Sequence, residues 1–90
     1  MVKANVKVIN QLGLHARAAA QLVRLAGEFD SNIKLIKKDK SVFADAKSIL
    51  NILTLAASKG TELIVEIKGT DEKEAMKAIK NLFSEGFGEL

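Results

Sequence analysis

The stretch Gly13-Leu14-His15-Ala16-Arg17-Ala18-Ala19-Ala20 holds the single histidine of a 90-residue chain, with an arginine two positions after it. Those two residue types at that spacing suit phosphoryl chemistry. An imidazole offers a nitrogen nucleophile. A guanidinium offers a planar fork of donors to phosphate oxygens. Helix-favouring residues begin at Ala16, which puts His15 at the helix N-cap. Histidine is not a preferred N-cap residue, so local stability alone does not account for it. A helix start carries unpaired backbone N–H groups and a partial positive charge. That environment disfavours imidazolium and leaves a ring lone pair free to attack. After transfer, the same N–H groups would stabilise the new dianion. Ala16, Ala18, Ala19 and Ala20 leave room for a partner to approach the ring, and Gly13 suits a turn with positive φ. Chemistry alone leaves an ordinary surface histidine and a phosphoryl acceptor both open; a metal role lacks a second ligand nearby.

The elements that must position this stretch follow from periodicity. Residues 2–9 alternate apolar and polar side chains, with Val2, Ala4, Val6 and Val8 on one face, and predict a half-buried strand. A helix is expected over 16–28, with Gly27 near its end. Strands are expected over 32–37, with Ile33 and Leu35 inward, and over 40–44, with Val42 and Ala44. A short apolar helix over 47–57 ends at Ser58-Lys59-Gly60. Residues 61–68 form the clearest strand, with Leu63, Val65 and Ile67 on one side. The last helix covers 71–84, and Asp71 and Glu74 have capping-box spacing, with Thr70 as an alternative cap. Its buried stripe is Ala75, Ile79, Leu82 and Phe83, and Gly86 suits its stop. The order βαββαβα and the short hairpin turn predict an α+β open-faced sandwich: one domain over 1–90, with a four-stranded antiparallel sheet and three helices on one face.

Composition narrows the function classes. Hydrophobic residues make up 48% and charged residues 28%, a globular balance. There is no cysteine, hence no disulfide framework and no thiolate chemistry. No apolar run approaches the ~18–20 residues of a membrane span. The alternating N-terminus does not read as a signal peptide, so a cytoplasmic location is expected. A net charge of +3 is a weak signal for nucleic acid. The cluster Lys34, Lys37, Lys38 and Lys40 reads as a solvated turn, because the chain has no Trp or Tyr to stack bases.

GLHARAAA resembles the active-site motif of the HPr family, the histidine-containing phosphocarriers of the bacterial phosphoenolpyruvate–sugar phosphotransferase system. AKSIL at 46–50, with the NILTLAASKGTEL that follows, is similar to the family's regulatory-serine segment. The resemblance covers nearly the whole chain, in the same element order. It implies that His15 is phosphorylated on Nδ1, that Arg17 supports the phosphohistidine, and that the N–H groups of Ala16 and Arg17 are the helix-end donors. It implies that Ser48 is the target of an HPr kinase/phosphorylase, that enzyme I is the donor, and that IIA domains of sugar permeases are the acceptors. Such a protein is a monomeric carrier rather than a complete enzyme, with no cofactor or metal of its own. A regulatory paralogue, acting through phosphorylation-dependent binding in nitrogen or carbon control, is the alternative within the family. A small ligand-binding or nucleic-acid-binding domain is the alternative outside it. Two departures stand out. Ala18 replaces the family's usual proline, and the segment 42–48 is slightly longer than in familiar members.

The helix after Ser48 also reads as a docking surface. At ~100° per residue its apolar side chains span ~220°, more than a core-facing stripe needs. Ile52, Leu55 and Ala56 suit the core. Ile49, Leu50 and Leu53 are left over and, with Ala20 of the histidine-bearing helix, are the candidate partner contacts.

Overall fold

The alternating N-terminal segment forms strand β1 (Val2–Lys7), in which Val2, Ala4 and Val6 are half-buried and Lys3, Asn5 and Lys7 exposed. The computed structural model describes residues 1–39 and 42–89. Helix α1 spans Ala16–Ala26 and stops at Gly27. It is followed by β2 (Asn32–Lys37), β3 (Val42–Asp45), α2 (Ile49–Thr54), β4 (Glu62–Lys68) and α3 (Glu72–Ser84), and the chain closes with a 3₁₀ turn at Gly86–Gly88.

The four strands make one antiparallel sheet in the order β1-β4-β2-β3. β4 is central: Val65 pairs with Ala4 on one side and with Leu35 on the other. A central strand buries its inward face completely, and Leu63, Val65 and Ile67 have no exposed surface. The three helices cover that face. Leu22 from α1, Ile52 from α2, and Ala75, Ile79 and Phe83 from α3 complete one core with Ile33 and Leu35. Each fully buried Leu, Ile, Val or Phe contributes about 1.5–3 kcal/mol.

Several boundaries shift from the sequence expectation. The predicted start of the third strand, residues 40 and 41, lies outside the described residues, as does Lys40 of the basic cluster. The second helix is shorter than expected, because Ala56 takes a left-handed φ of 50° after Leu55. Ala56 therefore turns outward and is exposed, whereas Ile52 and Leu55 are buried as expected. The capping box at Asp71 does not form. Asp71 makes no side-chain cap. Its carboxylate instead accepts from the Asp30 and Ser31 amides and the Ser31 hydroxyl, at 2.9, 3.0 and 2.5 Å. Glu72 takes the Gly69 amide at 3.0 Å. Met76 joins the inner stripe of α3, and Leu82 is only half-buried.

Candidate functional site

The loop before α1 is held from both sides. The Gly13 amide donates to the Asn10 carbonyl at 3.1 Å, and the Leu14 amide donates to the Ala57 carbonyl at 2.9 Å. Gly13 has a φ of 68°, as its place in the turn predicts. Leu14 is 5% exposed and anchors the loop in the core. His15 then emerges as the N-cap of α1 in extended conformation, and its side chain makes no cap bond. The first bond of the helix runs from the Ala19 amide to the His15 carbonyl at 2.8 Å. The N–H groups of Ala16, Arg17 and Ala18 precede that bond and so have no acceptor within the helix. Ala16 and Arg17 are exposed, and Ala20 is half-buried. A partly exposed imidazole thus stands beside free backbone donors, an arrangement suited to holding an anion at the ring.

The C-terminal segment completes the site. Gly86, Phe87 and Gly88 have φ values of 58°, 57° and 76°, so the chain turns back sharply after α3. Phe87 is 2% exposed and meets Phe83 edge-on, with ring centroids 5.0 Å apart. Its carbonyl accepts from the Gln21 amide of α1 at 3.2 Å. The turn delivers Glu89 to the histidine, with Glu89 Oε2 2.5 Å from His15 Nε2. The other carboxylate oxygen accepts from Asn10 Nδ2 at 2.9 Å. The same amide nitrogen donates to the Gly13 carbonyl at 2.8 Å. The hydrogen bond from the Asn10 amide, then that from the His15 ring, and after them the Arg17 charge, hold the Glu89 carboxyl below the usual carboxylate range.

Sequence reasoning passed over Asn10 and Glu89. They lie 79 positions apart, and Glu89 is 74 positions from His15, so no local pattern joins them. Leu12 was also passed over. It is 69% exposed in the loop beside the histidine, an apolar side chain with no periodicity to flag it.

Ser48 is the N-cap of α2, and its hydroxyl accepts from the Asn51 amide at 3.3 Å. Ile49, Leu50 and Leu53 are 37%, 72% and 37% exposed. α2 packs against α1, so this apolar surface adjoins the helix that carries His15. The described lysines of the basic cluster have intramolecular partners. Lys34 lies over the Phe43 ring at 4.7 Å, Lys37 donates to the Leu55 carbonyl at 3.0 Å, and Lys38 pairs with Glu62 at 3.6 Å. Among the described residues, no three His, Cys, Asp or Glu side chains converge as a metal-ligand set would, and no helix is long and apolar enough to cross a membrane.

A family model described as "PTS HPr component phosphorylation site" matches residues 2–85. The phosphocarrier protein HPr of Cupriavidus necator is 45% identical over 89 residues, covering 99% of this chain and 98% of that protein. The phosphocarrier protein NPr of Escherichia coli K12 is 40% identical over 88 residues, covering 98% and 97%. Among solved structures, HPr from Thermoanaerobacter tengcongensis superposes with a TM-score of 0.92 at 39% identity, covering 100% of this chain and 99% of that one.

Proposed function

Because the chain belongs to the HPr family of phosphocarriers, we propose that it accepts a phosphoryl group on His15 from phosphorylated enzyme I and passes it to IIA domains of sugar permeases. The observation that carries this reading is the partly exposed His15 ring at the mouth of α1, beside the N–H groups of Ala16 and Arg17, which have no backbone acceptor among the described residues. Those donors hold the dianion, and the exposed Arg17 in the first turn of α1 supplies a guanidinium to its oxygens. We read the chain as a cytoplasmic monomer; the monomer reading draws on one hydrophobic core that joins the inner face of the sheet to all three helices. It is a carrier rather than a complete enzyme. Incubation with enzyme I, magnesium and phosphoenolpyruvate is expected to add one acid-labile phosphoryl group. No gain in mass, or an equal gain in His15→Ala, overturns the reading.

Ser48 is the proposed target of an HPr kinase/phosphorylase. Support comes from its place at the open end of α2, next to exposed Ile49 and Leu50. A phosphate there adds about −1.5 to −2 charges at the edge of the apolar patch and acts on docking rather than folding. Treatment with the kinase and ATP, followed by mapping, tests it; phosphate elsewhere, or none, withdraws the assignment.

A second reading is a regulatory paralogue that signals through phosphorylation-dependent binding. The observation favouring it is the end-to-end likeness to a carrier with a separate name, NPr, at 40% identity. Binding to IIA domains before and after His15 phosphorylation separates the two readings.

A further inference from the structure

We propose that Glu89, oriented by Asn10, is a positioning residue that fixes which nitrogen of His15 receives the phosphoryl group. The proposal rests on the reading of His15 as the acceptor, and it begins from the two atoms in contact. A carboxylate oxygen 2.5 Å from Nε2 accepts a hydrogen bond from it, so the proton of the neutral ring resides on Nε2. The lone pair is then on Nδ1, and Nε2 is both protonated and covered.

The Glu89 carboxylate is itself held in place. Asn10 is fully buried, and its Nδ2 donates to two acceptors, the Gly13 carbonyl and Glu89 Oε1. Two acceptors on one side fix the amide, because a flip would set its oxygen against both of them. The amide oxygen has no hydrogen-bond partner among the described residues. A buried, unpartnered carbonyl costs free energy, and it persists here because the nitrogen of the same group is committed to the site. The left-handed Phe87 adds a second strained feature in the tail that delivers Glu89. Asn10, Glu89 and His15 thus form a chain in which an amide orients a carboxylate and the carboxylate orients an imidazole. It has the logic by which a buried carboxylate sets the tautomer of a catalytic histidine.

The transfer step follows from that order. The Nδ1 lone pair attacks phosphorus and forms a new N–P bond. The bond from phosphorus to the donor's nitrogen breaks, and its electron pair leaves with that nitrogen. The Nε2 proton stays where it is, so the phosphorylated ring becomes cationic, and the Glu89 carboxylate lies against that new charge.

Phosphoramidate, a small donor that needs no protein partner, separates this proposal from the carrier reading. In the wild-type protein, ¹⁵N spectra of the neutral ring are expected to give a pyrrole-type Nε2 and a pyridine-type Nδ1. Phosphoramidate is expected to yield the Nδ1 phosphohistidine alone. Glu89→Ala uncovers Nε2 and is expected to yield both isomers. Glu89→Gln is the sharper variant. Its one oxygen cannot accept from Asn10 Nδ2 and His15 Nε2 as two carboxylate oxygens do, so its amide nitrogen faces the ring and shifts the ring proton toward Nδ1. With enzyme I as donor, both variants are expected to accept phosphoryl ~10–100-fold more slowly, the range lost when the carboxylate partner of a metal-bound histidine is removed. Wild-type phosphorylation on Nε2, no Nδ1 product from phosphoramidate, or the same tautomer and isomer in all three proteins overturns the proposal. If enzyme I fails while the tautomer and isomer still depend on Glu89, the carrier reading falls and the positioning role stands.

Discussion

Gly13 and Ala57 meet with no room between them: a Cβ at Gly13 would lie 2.5 Å from the Ala57 carbonyl oxygen. That oxygen also accepts the Leu14 amide. The loop that presents His15 is therefore stapled to the segment after α2, the helix that carries the exposed Ile49, Leu50 and Leu53. Gly13→Ala meets both the steric conflict and a φ of 68°. It is expected to cost at least about 1–3 kcal/mol, read as a lower urea midpoint, and to slow phosphoryl acceptance at His15. A variant as stable as the wild type removes the staple from the account.

The C-terminal turn makes a second prediction. Phe87 is the anchor that keeps Glu89 at the ring, through its edge-on contact with Phe83 and the Gln21 bond to its carbonyl. Phe87→Ala removes the aromatic contact and leaves a cavity, with an expected cost of about 3 kcal/mol. The ¹⁵N signature of a protonated Nε2 is expected to weaken along with the stability. If the tail stays docked with an unchanged His15 spectrum, the anchoring role is wrong.

The sequence made legible those parts of this site that are local. His15, Arg17 and the N–H groups of α1 belong to a single helical turn, so residue order alone places them together. The exposed trio Ile49, Leu50 and Leu53 was likewise legible, because a helix with more apolar side chains than one face can bury must show some of them. Asn10 and Glu89 were not. Their meeting depends on three successive left-handed residues, one of them a phenylalanine that no turn rule favours there. Asp71 was misread for a related reason. Its spacing to Glu74 fits a local cap, but the Ser31 hydroxyl and two amides from another part of the chain offer three donors. Ala56 left the helical stripe because α2 ends before it.

The Asp71 contact carries a pH prediction. Its carboxyl is held below the usual range, first by the Ser31 hydroxyl and then by the Asp30 and Ser31 amides. A carboxyl depressed in the fold contributes its full stabilisation above its unfolded value of about 3.9, and loses it as the pH falls through the lower folded value. Asp71→Asn is expected to melt below the wild type at about pH 6, with the gap closing as the pH falls from about 4 towards 2. A gap that ignores pH, or widens in acid, contradicts the assignment.

The apolar surface of α2 yields a prediction in which folding and docking separate. Leu50 is 72% exposed and Ile52, two residues on, has no exposed surface. A charge at Leu50 touches nothing in the core, so Leu50→Glu is expected to change stability by no more than about 0.5 kcal/mol. Under the carrier reading, the same charge sits where a partner must exclude water. Transfer from enzyme I is then expected to need a higher concentration of the carrier, raising KM about tenfold for a docking loss of ~1.4 kcal/mol, with kcat little changed. Ile52→Ala is the opposite case, expected to lose about 2–5 kcal/mol of stability from the core. At temperatures where that variant stays folded it keeps the docking surface, and its KM is expected to stay near the wild-type value. A Leu50→Glu protein that melts early, or one that exchanges phosphoryl with wild-type KM, would place the docking face elsewhere on the molecule.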